Sequence, residues 1–252
     1  MTARKPLIAG NWKMHKTIAE TQAYVADLRA RPLPLGEVDG VICPPFTALA
    51  AAQAALAGSG IGLGAQNVGW VDEGPYTGEI APRMLLECGV GWVVIGHSER
   101  RALFGELDER VNEKARAALA HGITPIVAVG ETAEEHAAGK ARDKVCGQVR
   151  AAFAGMPTAE IARCVVAYEP IWAIGTGNAD SPDEANLIMG EIRGAVPGLG
   201  GCRLLYGGSM KPENVAAFVR QPNIDGGLVG GASLDPASFA ALLEEAHRGV
   251  LA

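Results

Sequence analysis

Eight short apolar runs recur along this chain, at Pro6–Asn11, Gly40–Cys43, Ile61–Gln66, Trp92–Gly96, Pro125–Gly130, Cys164–Glu169, Arg203–Gly207 and Asp225–Gly230. Near-continuous apolarity, without alternation of polar and apolar positions, is what strands buried on both faces require. Most of the runs are separated by Ala-, Glu-, Lys- and Arg-rich stretches with helical spacing, including Asp108–Ala120, Thr132–Phe153, Asp183–Arg193 and Pro236–Arg248. Eight strand–helix units in 252 residues is the size of a closed α/β barrel of the (β/α)8 kind, with eight parallel strands and surrounding helices in a single domain over 1–252. An open doubly wound sheet also alternates, but it usually shows fewer strands in this length and a Gly-rich first turn. Neither G-x-G-x-x-G nor a P-loop pattern occurs in the chain.

Composition narrows the function classes. With 48% hydrophobic and 20% charged residues, the chain is long and apolar enough to bury a sizeable core. Net charge is −6, with Lys and Arg scattered along the chain, which argues against nucleic acid and leaves room for an anionic small molecule. No run approaches the ~20 apolar residues of a membrane span. Residues 1–10 carry two basic residues and only a short apolar stretch, unlike a secretory signal. Cys43, Cys88, Cys146, Cys164 and Cys202 are odd in number and widely spread, with no zinc or redox spacing. They read as reduced thiols in a cytoplasmic protein without a bound metal.

The residues able to do chemistry follow these runs. Asn11 and Lys13 come after the first, His97, Ser98 and Glu99 after the fourth, Glu131 after the fifth, Glu169 after the sixth, Gly208-Ser209 after the seventh and Gly231 after the eighth. In a closed barrel all strand carboxyl ends converge on one rim, so these distant residues become neighbours. Val166 to Gly177 is the most telling segment. A buried run delivers Glu169, then Pro170 opens a loop with apolar Trp172 and Ile174 that Gly175 and Gly177 close. That arrangement suits a general base beneath a movable lid, and its bland counterpart is a strand-to-helix turn ending in a solvated Glu. Tyr206-Gly207-Gly208-Ser209 and Gly226 to Gly231 fit two readings: backbone N–H groups open to a phosphate, helped by a short helix from Ala232, or tight packing at a barrel corner. His15, His121, His136 and His247 fall in presumed helices or their ends and read as surface residues. Glu131 reads as structural support for the rim, with a catalytic part as the alternative. Glu99 reads as a partner for Lys13, and Arg100 with Glu106 as a structural ion pair.

Asn11-Trp12-Lys13-Met14, Gly74 to Glu79, Gly96-His97-Ser98-Glu99-Arg100-Arg101, Tyr168 to Gly177, Tyr206-Gly207-Gly208-Ser209 and Leu228 to Leu234 together resemble the triosephosphate isomerase family, in order, from the first strand to the last. The resemblance implies interconversion of dihydroxyacetone phosphate and glyceraldehyde 3-phosphate through an enediolate, without a cofactor. It implies that Glu169 is the base, that His97 polarises the carbonyl and shuttles protons, and that Lys13 and Asn11 hold the substrate and stabilise its negative charge. Gly175, Ser209, Gly230 and Gly231 match donors to the phosphate, Ser98 and Glu99 match supporting residues, and Tyr206 matches a residue that holds the lid shut. The lid itself is Pro170, Ile171, Trp172, Ala173, Ile174, Gly175, Thr176 and Gly177. A neutral His97 and a closing loop come from the resemblance rather than from the residues. A helix starting at Ser98 would nevertheless disfavour the imidazolium.

The stretch from Gly69 to Glu79 is too long for a minimal turn and carries Trp70, Pro75 and Tyr76, which suits a partner's pocket better than solvent. The resemblance makes that partner a second copy of the chain, with Thr77 near the other subunit's active site. Ala128, Pro75 and Asn178-Ala179-Asp180 depart from the family pattern, the last at the trailing hinge of the lid. Two other readings stand beside the isomerase: a Schiff-base aldolase using Lys13, and a phosphosugar-binding barrel without catalysis.

Overall fold

The structure, a computed structural model, describes residues 4–173 and 180–251. The chain alternates strands and helices: β1 (Leu7–Asn11), α1 (Ile18–Arg29), β2 (Asp39–Cys43), α2 (Leu49–Leu56), β3 (Gly62–Ala65), α3 (Pro82–Glu87), β4 (Trp92–Ile95), α4 (Ser98–Phe104), α5 (Asp108–Ala120), β5 (Thr124–Val129), α6 (Ala133–Ala137), α7 (Ala141–Ala152), α8 (Thr158–Ile161), β6 (Val165–Tyr168), α9 (Pro182–Ala195), β7 (Arg203–Tyr206), α10 (Pro212–Val219), β8 (Gly226–Val229) and α11 (Pro236–Leu251). All eight strands are parallel and pair in chain order. The ring closes where Leu7 of β1 sits opposite Gly226 of β8.

Each strand feeds two layers, which explains its uninterrupted apolar sequence. Leu7, Ala9, Val41, Cys43, Val94, Ile126, Ala128, Val165, Ala167, Leu205 and Leu228 fill the barrel interior. Their neighbours Ile8, Ile42, Val93, Ile95, Val127, Val129, Val166, Leu204 and Val229 pack outward against the helices. The interior is filled by side chains, so any site must lie at an end of the barrel.

Local signals set several helix boundaries. Thr17 caps α1 with a reciprocal Glu20 contact, and Thr132 with Glu135 repeats the device on α6. Pro82, Pro182 and Pro212 open α3, α9 and α10, where a missing N–H leaves no donor unsatisfied. One helical expectation is corrected: 132–153 is not continuous, because Gly139 adopts φ +69° and separates α6 from α7. His15 also differs from expectation, since it lies in the turn before α1 and not in a helix.

Candidate active site

At the carboxyl ends of the strands lies a cavity of about 340 Å³, lined by Asn11 and Lys13 after β1, His97 after β4, Glu169 after β6, Gly207 to Lys211 after β7, and Leu228 and Gly230 to Ala232 at β8. Glu169 is only 2% exposed. Its Oε1 lies 2.9 Å from His97 Nε2, and its Oε2 accepts the Ser98 N–H at 2.9 Å. The supporting glycines here are steric necessities. A Cβ on Gly130 would lie 1.9 Å from the Glu169 carbonyl oxygen, and one on Gly207 would lie 2.8 Å from Glu169 Cγ.

His97 caps α4, and its Nδ1 accepts the Glu99 N–H at 3.2 Å. A nitrogen that accepts carries no proton, so the ring here is the neutral tautomer with its hydrogen on Nε2, pointing at Glu169. Burial pushes the His97 pKa down, but the Glu169 charge at Nε2 overrides it and lifts the ring's affinity for a proton. Burial pushes the Glu169 carboxyl up, while His97 and the Ser98 N–H together hold it below the usual carboxylate range. The two groups thus stabilise one ionised carboxylate beside one imidazole.

Lys13 occupies a backbone conformation that non-glycine residues rarely adopt, with φ +54°. Its N–H donates to Asn11 Oδ1 at 3.1 Å, and its Nζ meets Glu99 Oε1 at 2.6 Å, the pairing expected from sequence. Gln66, unassigned from sequence, donates its amide to the carbonyls of Lys13 and Cys43 at 2.8 Å each. Strain at a residue facing a cavity, fixed by three separate contacts, is the pattern of a positioned functional group. The sequence signal for Gln66 was its place as the amide ending the third apolar run.

The two glycine clusters divide between the two sequence readings. At Gly208 a Cβ would lie 2.2 Å from the Tyr206 hydroxyl, at Gly226 it would lie 1.9 Å from the Leu7 carbonyl oxygen, and at Gly227 2.3 Å from Met210 Sδ. Those three, with Gly207, are dictated by packing. Among the described residues, Gly230 has only Lys13 Cε at 3.6 Å, and Gly231 has nothing within 4 Å. The segment after Gly230 is a short helix, a single 3-10 turn over Gly231–Ser233, one residue earlier than the sequence reading placed its start. Ser209 lines the cavity with its Oγ turned to the Ala173 carbonyl at 2.7 Å, and Lys211 joins the lining without having been singled out from sequence.

Behind Glu169, the Glu131 carboxylate is fully buried and accepts the Tyr168 hydroxyl at 3.0 Å and Trp172 Nε1–H at 2.8 Å. The His136 ring, half-exposed, packs against Trp172 with ring centroids 4.4 Å apart and planes tilted by 39°. Pro170, Ile171, Trp172 and Ala173 are therefore fixed to the rim from below, while Ile174, Gly175, Thr176, Gly177, Asn178 and Ala179 lie outside the described residues. Tyr206 stacks on Phe218 at 4.2 Å, and its hydroxyl accepts the Asp180 N–H at 3.0 Å. Away from the cavity, Arg100 and Lys114 both reach Glu106 Oε2 at 2.7 Å, a structural cluster as expected for Arg100 and Glu106. His121 and His247 are half-buried and His15 exposed, all distant from the cavity lining.

Residues 6–246 match the family described as triosephosphate isomerase. The chain belongs to the triosephosphate isomerase family. It is 49% identical over 245 residues to the triosephosphate isomerase of Symbiobacterium thermophilum, covering 95% of this chain and 96% of that protein. Identity is 50% over 246 residues to that of Chloroflexus aurantiacus, with 95% and 98% covered. It is 51% over 251 residues to that of Rubrobacter xylanophilus, with 97% and 98% covered. Such near-complete coverage means that the strand-end segments, and not only the barrel framework, fall within the family match. Membership in the triosephosphate isomerase family also agrees with the closed eight-stranded barrel.

Proposed function

We propose that this chain interconverts dihydroxyacetone phosphate and glyceraldehyde 3-phosphate, with Glu169 as the base and His97 as the electrophile. One observation carries the reading: the ionised carboxylate of Glu169 and the Nε2–H of His97 meet in one cavity that also holds Lys13, Asn11 and two glycines with no packing reason to be glycine. A proton on carbon beside a carbonyl is weakly acidic, so its removal needs a positioned base and a donor for the oxygen that becomes negative. Glu169 takes the proton, the C–H electron pair forms the C=C bond of the enediolate, and the carbonyl oxygen receives charge. His97 Nε2–H donates to that oxygen, and Lys13 and Asn11 add positive potential. His97 carries the hydroxyl proton from one enediolate oxygen to the other, and Glu169 returns its proton to the adjacent carbon, so one C–H and one O–H are broken and re-formed and both side chains end as they began.

The open backbone at Gly230 and Gly231 supports a phosphate seat, with Ser209 beside it; Gly175 completes it in this proposal. The segment Pro170 to Gly177 is the cover that excludes water, with Trp172 held by Glu131 at its leading end and Tyr206 holding Asp180 beyond its trailing end. Lys13 is engaged as an ammonium with Glu99, whereas Schiff-base chemistry needs a free amine, which weighs against the aldolase. A barrel that only binds phosphosugars has no use for a buried carboxylate aimed at an imidazole.

The loop 69–79 supports a homodimer. Its base is closed by the Gly69 N–H to the Ile80 carbonyl at 2.7 Å, Trp70 and Tyr76 brace each other at 5.0 Å, and Tyr76 remains 41% exposed. Met14, beside Lys13, is 95% exposed, so the loop of a second copy, with Thr77 at its tip, would cover apolar surface next to the cavity. Five unpaired thiols, four of them buried, support a cytoplasmic location.

The catalytic assignment is tested by following isomerisation and solvent hydrogen exchange with His97→Gln. Loss of both by on the order of a hundredfold is expected, because the glutamine amide cannot put its N–H where the imidazole Nε2–H stands or relay a proton between oxygens; undiminished exchange would exclude His97 as the electrophile. Sedimentation velocity tests the dimer, and a monomer at micromolar concentration would exclude it.

A further inference from the structure

Asp180 is a buried carboxyl at the rim for which the reaction as described has no use. It is 5% exposed, and its Oδ1 has no hydrogen-bond partner among the described residues. Carboxyls and phenols face it from every side. Glu184 of α9 lies next to it, Glu131 follows β5, and Tyr168 and Tyr206 end β6 and β7. His136 of α6 is the imidazole of the cluster, with Nδ1 3.5 Å from Glu131 Oε1. Glu131 also has an unpartnered buried oxygen, Oε2.

Buried Asp180 and Glu131, with exposed Glu184 hydrogen-bonded to Asp180, need a donor each or a shared proton. Glu131 has the Tyr168 hydroxyl and the Trp172 N–H. Glu184 sits in the first turn of α9, its carboxylate accepts from the Ser181 hydroxyl at 3.1 Å, and the helix terminus favours its charge. Asp180 precedes the helix and is buried, and the Ser181 N–H is the one donor among the described residues that favours its charge, outweighed by burial and by Glu184.

We propose that Asp180 and Glu184 share one proton, carried on Asp180, and that this neutral Asp180 is a positioning residue that seats the ends of β6 and β7 beside the cavity. The connection runs through Tyr206. Its hydroxyl accepts the Asp180 N–H, and it lies beneath Gly208, whose Cβ position is 2.2 Å from that oxygen. Gly207 in turn abuts Glu169 Cγ. Ionising Asp180 places a third negative charge against Glu131 and Glu184, and the resulting repulsion acts on the contact that aligns Tyr206, Gly207 and Gly208. Burial lifts the Asp180 pKa to about 7, reinforced by Glu184, and Glu184 is correspondingly lowered through its contact with Asp180. The sign follows: the seat is intact below neutrality and loosens as pH rises through that value.

This inference rests on the proposed use of the cavity by substrate. Asp180→Asn keeps the shape and the main-chain N–H but cannot ionise. The ratio of its kcat/KM to that of the native chain is expected to be near one at pH 6 and to climb three- to tenfold by pH 8.5, while substrate ionisation cancels in the ratio. A ratio independent of pH overturns the coupling to the site. Independently, 13C labelling of Asp side-chain carboxyls, with the Asp180→Asn spectrum identifying the resonance, is expected to give a midpoint near 7. In Glu184→Gln that midpoint falls, because the charge that retains the proton is gone. A native midpoint near the ordinary value of about 4 overturns the shared proton. The carboxyl midpoint does not depend on Glu169 or His97, so failure of the catalytic assignment shows separately, in the His97→Gln exchange measurement.

Discussion

Shortening Glu169 by one methylene separates positioning from charge. In Glu169→Asp the carboxylate survives, but its oxygens retract by about 1.5 Å, one carbon–carbon bond length. The native oxygens meet His97 Nε2 and the Ser98 N–H at 2.9 Å each, so the shorter side chain loses both contacts at their present lengths. The backbone cannot advance to compensate, because the Gly130 and Gly207 sites already touch Glu169 at the limit of packing. Misplacement of a reacting group costs about a hundredfold per ångström, so turnover falls on the order of a thousandfold. That equals about 4 kcal/mol of lost transition-state stabilisation at about 1.4 kcal/mol per decade. A coupled assay for conversion of glyceraldehyde 3-phosphate measures it, alongside competition by a phosphate-bearing enediolate mimic and a thermal melt to verify folding. Inhibition by inorganic phosphate stays within about threefold, since the open glycines at β8 are untouched. A variant turning over within tenfold of the native rate would remove Glu169 as the base. Intact kcat with a large rise in KM would recast it as a binding residue.

Gly231→Ala enters open space, so its melting temperature stays native while KM and the inhibition constant for phosphate rise about tenfold; an unchanged KM would exclude a backbone donor there. Gly208→Ala instead collides with Tyr206, and its first symptom is a lowered melting temperature. Glu106→Gln strands the Lys114 ammonium, whose side chain is 3% exposed, and breaking such a pair destabilises by about 3–5 kcal/mol, or about 6–20 °C in Tm for a chain of this size. Burial raises the Glu106 pKa but Lys114 and Arg100 hold it below the ordinary range. Its contribution is therefore present above the ordinary carboxylate value and lost as pH falls through the lowered one, so the Tm deficit of Glu106→Gln narrows below about pH 4. A deficit constant from pH 7 to pH 3 would contradict that linkage.

The strands were legible because burial on both faces writes apolarity at every position, and the site was legible because parallel closure brings strand ends together. Glu169 and His97 are 72 positions apart in sequence yet 2.9 Å apart in space for that reason alone. What escaped the sequence depends on a partner elsewhere. Gln66 acts on a carbonyl 53 residues away, and its amide carries no period or motif. Glu131 looked ambiguous because its surroundings come from Tyr168 and Trp172, 37 and 41 residues on. The break at Gly139 was missed because the helical composition continues across it, and the positive φ decides the outcome. The glycine clusters were read as two equivalents, whereas space around each Cβ distinguishes packing at Gly207, Gly208, Gly226 and Gly227 from openness at Gly230 and Gly231.

The carboxyls on one arc of the rim show how the fold keeps its base charged. Burial raises every carboxylate, so a rim holding Glu169, Glu131 and Asp180 at 2%, 0% and 5% exposure cannot ionise all three without donors for each. Donors are distributed unevenly. Glu169 receives the Ser98 N–H and His97, and Glu131 receives Tyr168 and Trp172, whereas the Asp180 carboxyl has the Ser181 N–H and its Oδ1 receives nothing among the described residues. A proton entering this arc is therefore bound where donors are fewest, at Asp180, and not at the carboxylate facing the cavity. If Glu169 is the base, as proposed, its charge is held by the donors gathered around it, and the proton goes to a neighbour with fewer.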